Sequence, residues 1–125
     1  DAAGSVGYIL SGEGGRIVLA TDLGYITPAV KTAVQDCGLL ICEANHDEDW
    51  VRSGPYPYYL KQRILGDRGH LSNEAGAELA ALAAESGTRA VVLAHLSREN
   101  NTPARAWETA ARSEAWAVSR TWISP

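Results

Sequence analysis

The chain has 125 residues, of which 46% are hydrophobic, and its formal net charge at pH 7 is -4. This length corresponds to one domain or less, and the composition can support a hydrophobic core, which excludes a disordered chain. The acidic balance argues against wholesale electrostatic capture of nucleic acid, so a polyanion would have to be met by a local basic patch or by a metal ion. Because no apolar run reaches about 18 residues, we expect no membrane span, no signal peptide and a cytoplasmic protein.

The first third of the chain predicts two paired strands, a helix and a further strand. Apolar runs at 6–10 and 16–21 flank a glycine-rich segment, which is typical of a β-hairpin. Thr27, followed by a proline, predicts a capped helix that runs to about Asp36. The run 39–44 has the length and apolar character of a central strand that is buried on both faces.

The middle of the chain is less regular. Residues 45–50 are acidic, and the simplest interpretation of Asp47-Glu-Asp is a solvated helix start. The loop 54–59 carries three tyrosines that either pack on the domain or stack on bases, and 60–65 predicts a short helix. A turn hinged by glycines then brings four polar residues close together: Asp67, Arg68, His70 and Ser72. Turns of this kind carry chemistry more often than they carry a core.

The last part of the chain predicts two more helices and two more strands. Ser72 or the following asparagine caps an alanine-rich helix that runs to about Glu85. Residues 89–95 form an apolar strand, a second cap-and-proline signal precedes a helix over 104–113, and 115–123 is a final strand. The alternation of elements predicts an α/β fold with a mixed sheet and flanking helices.

Polar residues gather at the carboxyl ends of these strands, where open α/β sheets place their sites. They are Asp22, Glu43, His46, His95 and Ser97. Because a loop would bring His70 to the same end, carboxylates and imidazoles converge, and these are ligands that Mn²⁺ or Zn²⁺ accept. Taken singly, each has a plainer interpretation, such as a turn or cap role for Asp22 and a hydrogen-bonded core histidine for His95.

Six blocks of residues occur in a fixed order along the chain. They are Thr21-Asp22-Leu-Gly, Leu39-Leu-Ile-Cys-Glu43-Ala-Asn-His46-Asp47, Gly54-Pro-Tyr-Pro, Leu60-Lys-Gln-Arg-Ile-Leu-Gly-Asp-Arg-Gly-His70-Leu-Ser-Asn, Leu93-Ala-His95-Leu-Ser97 and Glu99-Asn-Asn-Thr-Pro103. This set resembles the C-terminal half of a metallo-β-lactamase-fold hydrolase, and in particular the bacterial exonuclease or phosphodiesterase subfamily linked to a cell-wall two-component system. It is also similar to the tRNA 3′-processing endonucleases of that superfamily.

The resemblance implies that residues 1–125 are the C-terminal portion of a metallo-β-lactamase-like domain, one half of an αββα sandwich whose N-terminal half is absent. It implies a site for two divalent ions, zinc or manganese, in which Asp22 bridges the ions and His95 binds one of them. Glu43 would orient His70, which would protonate the leaving oxygen. The family's His-x-His-x-Asp-His block does not occur in the chain, so we expect this portion alone to bind metal weakly and to be inactive.

The same resemblance implies that the intact protein cleaves phosphodiester bonds in DNA or RNA, as a nuclease and most simply an exonuclease. Arg68 is a candidate phosphate contact or a surface ion pair, and Ser72 could add helix N-terminal amides to a phosphate site. His46 lies either near the metals or in a helix-start hydrogen bond, and Ser97 is a further substrate-contact candidate. The alternatives are a non-catalytic binding or scaffold module, or a hydrolase of another ester class with this fold.

Asp22 and His95 both follow apolar runs of strand length. We therefore expect them to lie on adjacent strand ends, with the carboxylate and the imidazole within roughly 8 Å of each other, the span that one or two metal ions can bridge with bonds of about 2.0 to 2.2 Å.

Overall fold

The computed structural model describes residues 8–21, 23–35, 37–66, 69–112 and 120–123. These residues form five strands and five helices: β1 (Tyr8–Gly12), β2 (Gly15–Ala20), α1 (Pro28–Val34), β3 (Leu39–Glu43), α2 (Glu48–Ser53), α3 (Tyr58–Leu65), α4 (Asn73–Glu85), β4 (Ala90–Ala94), α5 (Pro103–Ala111) and β5 (Arg120–Ile123). The strands lie in sequence order in one sheet. β1 is antiparallel to β2, and every other neighbouring pair is parallel. The expected α/β fold with a mixed sheet is confirmed.

One face of the sheet is covered by helices. Val18, Leu40 and Val91 lie side by side on β2, β3 and β4, and each is almost completely buried. Helices α1 and α4 contact this face, and α5 packs on α4. Burial of this apolar layer is the main stabilising contribution to the described part of the chain.

The opposite face of the sheet carries a second apolar layer. Ile17 pairs with Leu39, and Ile41 pairs with Val92, so apolar side chains continue from strand to strand in register. Ile17 is 37% exposed, and the other three are half-buried. The prediction that the third strand is buried on both faces was therefore wrong for the described part of the chain, because the helices cover only one of them. An apolar run indicates burial, but it does not tell which element covers each face.

The helix boundaries follow the capping signals. The Thr27, Ser72 and Thr102 hydroxyls each accept a hydrogen bond from the backbone N–H three residues on, at 3.1 to 3.2 Å. Asp47 caps α2 in the same way by accepting from the Trp50 N–H at 2.9 Å, which confirms the helix-start interpretation of the acidic segment. Residues 113–119, where the last predicted helix ends and the last predicted strand begins, lie outside the described residues.

The three tyrosines of the proline loop differ in their surroundings. Tyr58 and Tyr59 are 77% and 71% exposed, so the interpretation that they pack on the domain was wrong. The Tyr56 hydroxyl lies 3.2 Å from Asn100 Oδ1 and 3.3 Å from a Glu99 carboxylate oxygen, which ties this loop to the one after β4. None of the helices in the described part of the chain combines the length and apolar character needed to cross a bilayer.

Gly76 is the point of closest approach between α4 and the end of β3. A Cβ atom placed there would come closer than 3.0 Å to the Glu43 carbonyl oxygen, which real Cβ atoms essentially never do. α4 can lie against β3 at this spacing only because the residue is glycine, and this spacing fixes the backbone that carries Glu43.

We predict that Gly76→Ala destabilises the protein by about 1 to 3 kcal/mol through overpacking, although alanine normally stabilises a helix relative to glycine by up to about 1 kcal/mol. Urea unfolding measures the change. Gly14→Ala is the control, because a Cβ at Gly14 has nothing within 4 Å. A Gly76→Ala variant as stable as the wild type would show that α4 can move away from β3 without loss.

Candidate active site

β3 ends at a buried carboxylate. Glu43 is fully buried, and its register partner on β4 is Ala94. The next residue after Ala94 is His95, which has a backbone φ of +59°. A non-glycine residue in this left-handed region costs roughly 1 to 2 kcal/mol, so the surrounding contacts have to hold His95 in place.

Two histidines from different loops meet Glu43. The same carboxylate oxygen, Oε2, lies 2.6 Å from His70 Nδ1 and 2.7 Å from His95 Nδ1. The two imidazole rings are arranged edge to face, with centroids 5.0 Å apart. The His70 and His95 side chains are 42% and 49% exposed, whereas the Glu43 side chain is 0% exposed. The site is thus a buried anion with two accessible imidazoles above it.

This group has the composition of a metal site. Ligand-type atoms of Glu43, His70 and His95 all lie within 4.8 Å of one another. Two ligands of one tetrahedral ion with bonds of about 2.0 Å would stand about 3.3 Å apart, however, and the 2.6 and 2.7 Å separations are those of N–H···O contacts. Glu43 Oε2 is therefore hydrogen-bonded to His95 Nδ1 and in close polar contact with His70 Nδ1, rather than sharing one metal ion with these two atoms.

Asn45 joins the loops that carry the two histidines, and the sequence interpretation missed it. Its backbone N–H donates to the Leu71 carbonyl at 2.9 Å, and its side-chain Nδ2 donates to the His95 carbonyl at 2.9 Å. Its own carbonyl accepts from the Ser97 N–H at 2.7 Å. A signal was present, since a polar residue stands directly after an apolar strand in the block that contains Glu43.

A buried pair of asparagine side chains supports the same end of β3. Asn73 and Asn101 exchange two side-chain hydrogen bonds of 2.8 Å, and Asn101 Nδ2 also donates to the Ala44 carbonyl at 2.8 Å. Because Asn73 begins α4 and Asn101 precedes α5, the pair fixes both helix starts to the residue that follows Glu43. The sequence interpretation did not identify this pair, whose members are 28 positions apart.

His46 is buried beside the exposed histidines. It is 2% exposed, and its Nδ1 lies 3.2 Å from Asn45 Oδ1. Because Asn45 Nδ2 donates to the His95 carbonyl, the oxygen of that amide faces His46, and the tautomer inferred from this network has the proton on Nδ1. Burial lowers the pKa of His46 below its usual value, against the smaller opposing effect of Glu48. His46 is therefore a neutral imidazole with a lone pair on Nε2.

The other predicted site residues have different surroundings. The Ser72 hydroxyl caps α4 and donates to Glu48 Oε2 at 2.6 Å, and the Ser97 hydroxyl accepts from the Asn100 N–H at 3.1 Å. Both hydroxyls thus already hold local structure. Asp22 and Arg68 lie outside the described residues. The strands that Asp22 and His95 follow are not adjacent, because β3 lies between β2 and β4, and the expected approach of the two side chains stays a prediction.

The lowered pKa of His46 predicts a pH dependence of stability. The unfolded chain binds a proton at this residue below about pH 6.5, whereas the folded chain binds it only at lower pH. The part of the free energy of unfolding that depends on a neutral His46 is therefore fully present above about pH 6.5, and it is lost as the pH falls through the pKa of the folded state. The neighbouring charged groups that act on His46 are Glu48, His70 and Asp47.

We expect His46→Gln to lose less stability than the wild type when the pH is lowered from about 7 to about 5. Urea unfolding at several pH values gives the two curves. Their difference isolates His46, because the neighbouring titrating groups are common to both proteins. Two curves that fall in parallel would show that His46 does not titrate differently in the folded state.

Comparison with known proteins places the chain in a family. A family profile described as "Beta-lactamase superfamily domain" matches residues 2–96. Over 101 residues the chain is 43% identical to exodeoxyribonuclease WalJ of Streptococcus pneumoniae and 37% identical to exodeoxyribonuclease YycJ of Bacillus anthracis. Each match covers 81% of this chain but 38% of the relative, so the chain spans well under half of the length of these curated relatives.

A solved structure shares the fold. The metallo-β-lactamase fold protein YhfI from Bacillus subtilis superposes with a TM-score of 0.53 at 18% sequence identity, covering 88% of this chain and 37% of that one. The resemblance drawn from the six sequence blocks is thereby confirmed, as is the expected fold class. The chain belongs to the β-lactamase superfamily domain family and has a metallo-β-lactamase fold.

Proposed function

We propose that the protein containing this chain is a metal-dependent exonuclease that hydrolyses phosphodiester bonds in DNA. The observation that carries the proposal is the placement of His70 and His95 on one oxygen of the buried Glu43 carboxylate. The names of the relatives, exodeoxyribonucleases WalJ and YycJ, favour DNA over RNA and a nuclease over the other ester hydrolases of this fold.

His70 is the proton donor in this proposal, and Glu43 is the residue that positions it. The 2.6 Å contact of His70 Nδ1 with the carboxylate orients the ring, and in this proposal Nε2 is the atom that meets the substrate. Protonation of the leaving oxygen by His70 Nε2 would avoid the release of an unstabilised alkoxide from the deoxyribose.

In this proposal His95 is a metal ligand, and the Glu43 carboxylate holds its other ring nitrogen. A carboxylate on Nδ1 orients the ring and makes Nε2 a better donor, and this applies to His95 through its 2.7 Å contact with Glu43. In the proposal, Asp22 and His95 contribute to the binding of two zinc or manganese ions together with residues outside this chain. When bound, these ions supply positive charge that stabilises the attacking and leaving oxygens.

The remaining ligands come, in this proposal, from an N-terminal half of the same domain that covers the open apolar face of the sheet. Supporting it are the register of apolar residues across β2, β3 and β4 on that face and the length of the relatives, of which the chain spans 38%. Large exposed apolar faces are unusual on a protein that acts alone.

The proposed substrate is cellular DNA, so the proposal includes a cytoplasmic location.

A first test concerns metal binding. Calorimetry with Mn²⁺ or Zn²⁺ should show no tight stoichiometric site on this chain alone, whereas a protein of the relatives' full length should bind metal and lose affinity in the Asp22→Ala and His95→Ala variants. Tight binding by the chain alone that Asp22→Ala abolishes would mean that His46 or Asp47 completes the ligand set and that no further half is needed.

A second test concerns the roles of Glu43 and His70. Since general acid catalysis contributes about 10² to 10⁴ in rate, His70→Ala should lower kcat on DNA by about this factor in the full-length protein without changing its metal content. A nitrophenyl phosphodiester has a good leaving group and should be nearly spared. Because the two residues act as a unit in proton donation, the variant that combines Glu43→Gln with His70→Ala should, at equal metal content, lose little more kcat than His70→Ala alone.

The control for this second test is Glu85→Gln, which removes an exposed carboxylate from the far end of α4 and should leave kcat on both substrates unchanged. Metal content is measured for every variant, so loss of metal is separated from loss of the proton donor. Equal losses on the two substrates, or multiplication of the two single defects in the double variant, would contradict the proton-donor role.

A further inference from the structure

A cavity of about 560 Å³ opens beside His70. Its lining includes Arg63 from the last turn of α3, His46, Asn100 and His70 itself. The volume lies in the range that holds a small-molecule ligand. Because His70 forms part of its wall, a ligand bound in this cavity lies directly next to the proposed proton donor.

The charges that line this cavity favour an anion. Arg63 is the one permanently charged residue among the described residues that line it, and no carboxylate is among them. Within the described part of the chain, the exposed Arg63 guanidinium makes no hydrogen bond or ion pair, so its five N–H donors are available to a ligand. His46 is neutral and therefore neither attracts nor repels an anion.

Asn100 supplies a second contact to the cavity. Its Oδ1 lies 3.2 Å from the Tyr56 hydroxyl, which turns the amide so that the NH₂ group is left for another acceptor. Within the described residues no acceptor bonds to that group. A guanidinium together with an amide NH₂ is a pair of donors suited to phosphate oxygens.

A second cavity, which is also lined by His46 and His70, lacks this character. It has a volume of about 320 Å³ and is lined by Lys31 and Arg52, but also by Glu48 and Glu78. Arg52 is already paired with Glu48 at 3.4 Å. Its cations are therefore offset by carboxylates, and a phosphate would gain little by entering it.

We propose that the cavity of about 560 Å³ binds the internucleotide phosphate that neighbours the scissile one, with Arg63 as its principal contact. This inference rests on the proposed nuclease function, since it assigns the next phosphate of the same DNA strand to a site beside His70. Arg63 is a binding residue here, and it sets which part of the strand is held while cleavage takes place.

The experiment uses the full-length protein, with Arg63→Gln as the variant and Arg89→Gln as the matched control. Arg89 is an exposed arginine that precedes β4, at the end of that strand opposite to His95. Binding of a single-stranded oligodeoxythymidylate is measured by fluorescence anisotropy in EDTA, which prevents cleavage, at several salt concentrations. A set of oligonucleotides that each carry one neutral methylphosphonate linkage is then compared by KM and kcat with metal present.

For Arg63→Gln we expect the oligonucleotide affinity to fall by roughly tenfold or more, as for the loss of a charge-assisted hydrogen bond. The slope of log K against log salt should decrease in magnitude by about 0.7, the value for one phosphate contact on a single strand. At one position, replacing the phosphate by a methylphosphonate should raise KM in the wild type. In Arg63→Gln the same replacement should leave KM unchanged, because the contact is already lost. Arg89→Gln should match the wild type in all three measurements.

The outcomes separate this site from the proposed function. DNA cleavage with Arg63→Gln indistinguishable from Arg89→Gln overturns the phosphate site and leaves the nuclease function standing. Oligonucleotide binding that depends on Arg63, without DNA cleavage by the metal-loaded wild type, supports the site and overturns the nuclease function. A third outcome is that Arg63→Gln weakens oligonucleotide binding, but every methylphosphonate linkage that raises KM in the wild type also raises it in the variant. That result overturns the assignment of Arg63 to a single neighbouring phosphate.

Discussion

A single buried charge organises this end of the molecule. Glu43 is completely excluded from water at the end of a strand, and a carboxylate in such a place is costly unless donors surround it. Two imidazoles from positions 25 residues apart meet it: His95 Nδ1 is hydrogen-bonded to the carboxylate, and His70 Nδ1 lies 2.6 Å from the same oxygen. Burial of the Glu43 carboxylate therefore favours a structure in which both loops contact the same oxygen atom. This convergence creates the site, and the rest of the local structure serves to maintain it.

Backbone hydrogen bonds and amide side chains hold the loops at the required spacing. Asn45 donates hydrogen bonds to the carbonyls of Leu71 and His95 and so links the two histidine loops. The Asn73–Asn101 pair joins the starts of α4 and α5. These amides carry no charge and do not ionise, so the hydrogen bonds between them do not depend on pH.

The sequence predicted the features that depend on neighbouring residues. The caps at Thr27 and Thr102 and most of the strands were identified correctly, because hydroxyl capping and apolar runs are local signals. The Asn73–Asn101 pair was not predicted, since it needs residues that only the fold brings together. The resemblance implied the contact of Glu43 with His70 but not the second contact, with His95. The order of the strands explains the error over Asp22 and His95: two similar apolar runs do not tell which strand will lie between them.

The apolar face that the helices leave open has a consequence for the chemistry at its end. By the alternation of a strand, Leu39, Ile41 and Glu43 project to the same side of β3, so the row of apolar side chains on that face leads directly into the carboxylate. Any protein layer laid over Leu39 and Ile41 will also exclude water from the edge of the Glu43–histidine group. Lower local polarity strengthens every charge interaction there. The contact that completes the second hydrophobic layer would therefore also set the dielectric environment in which the two histidines act.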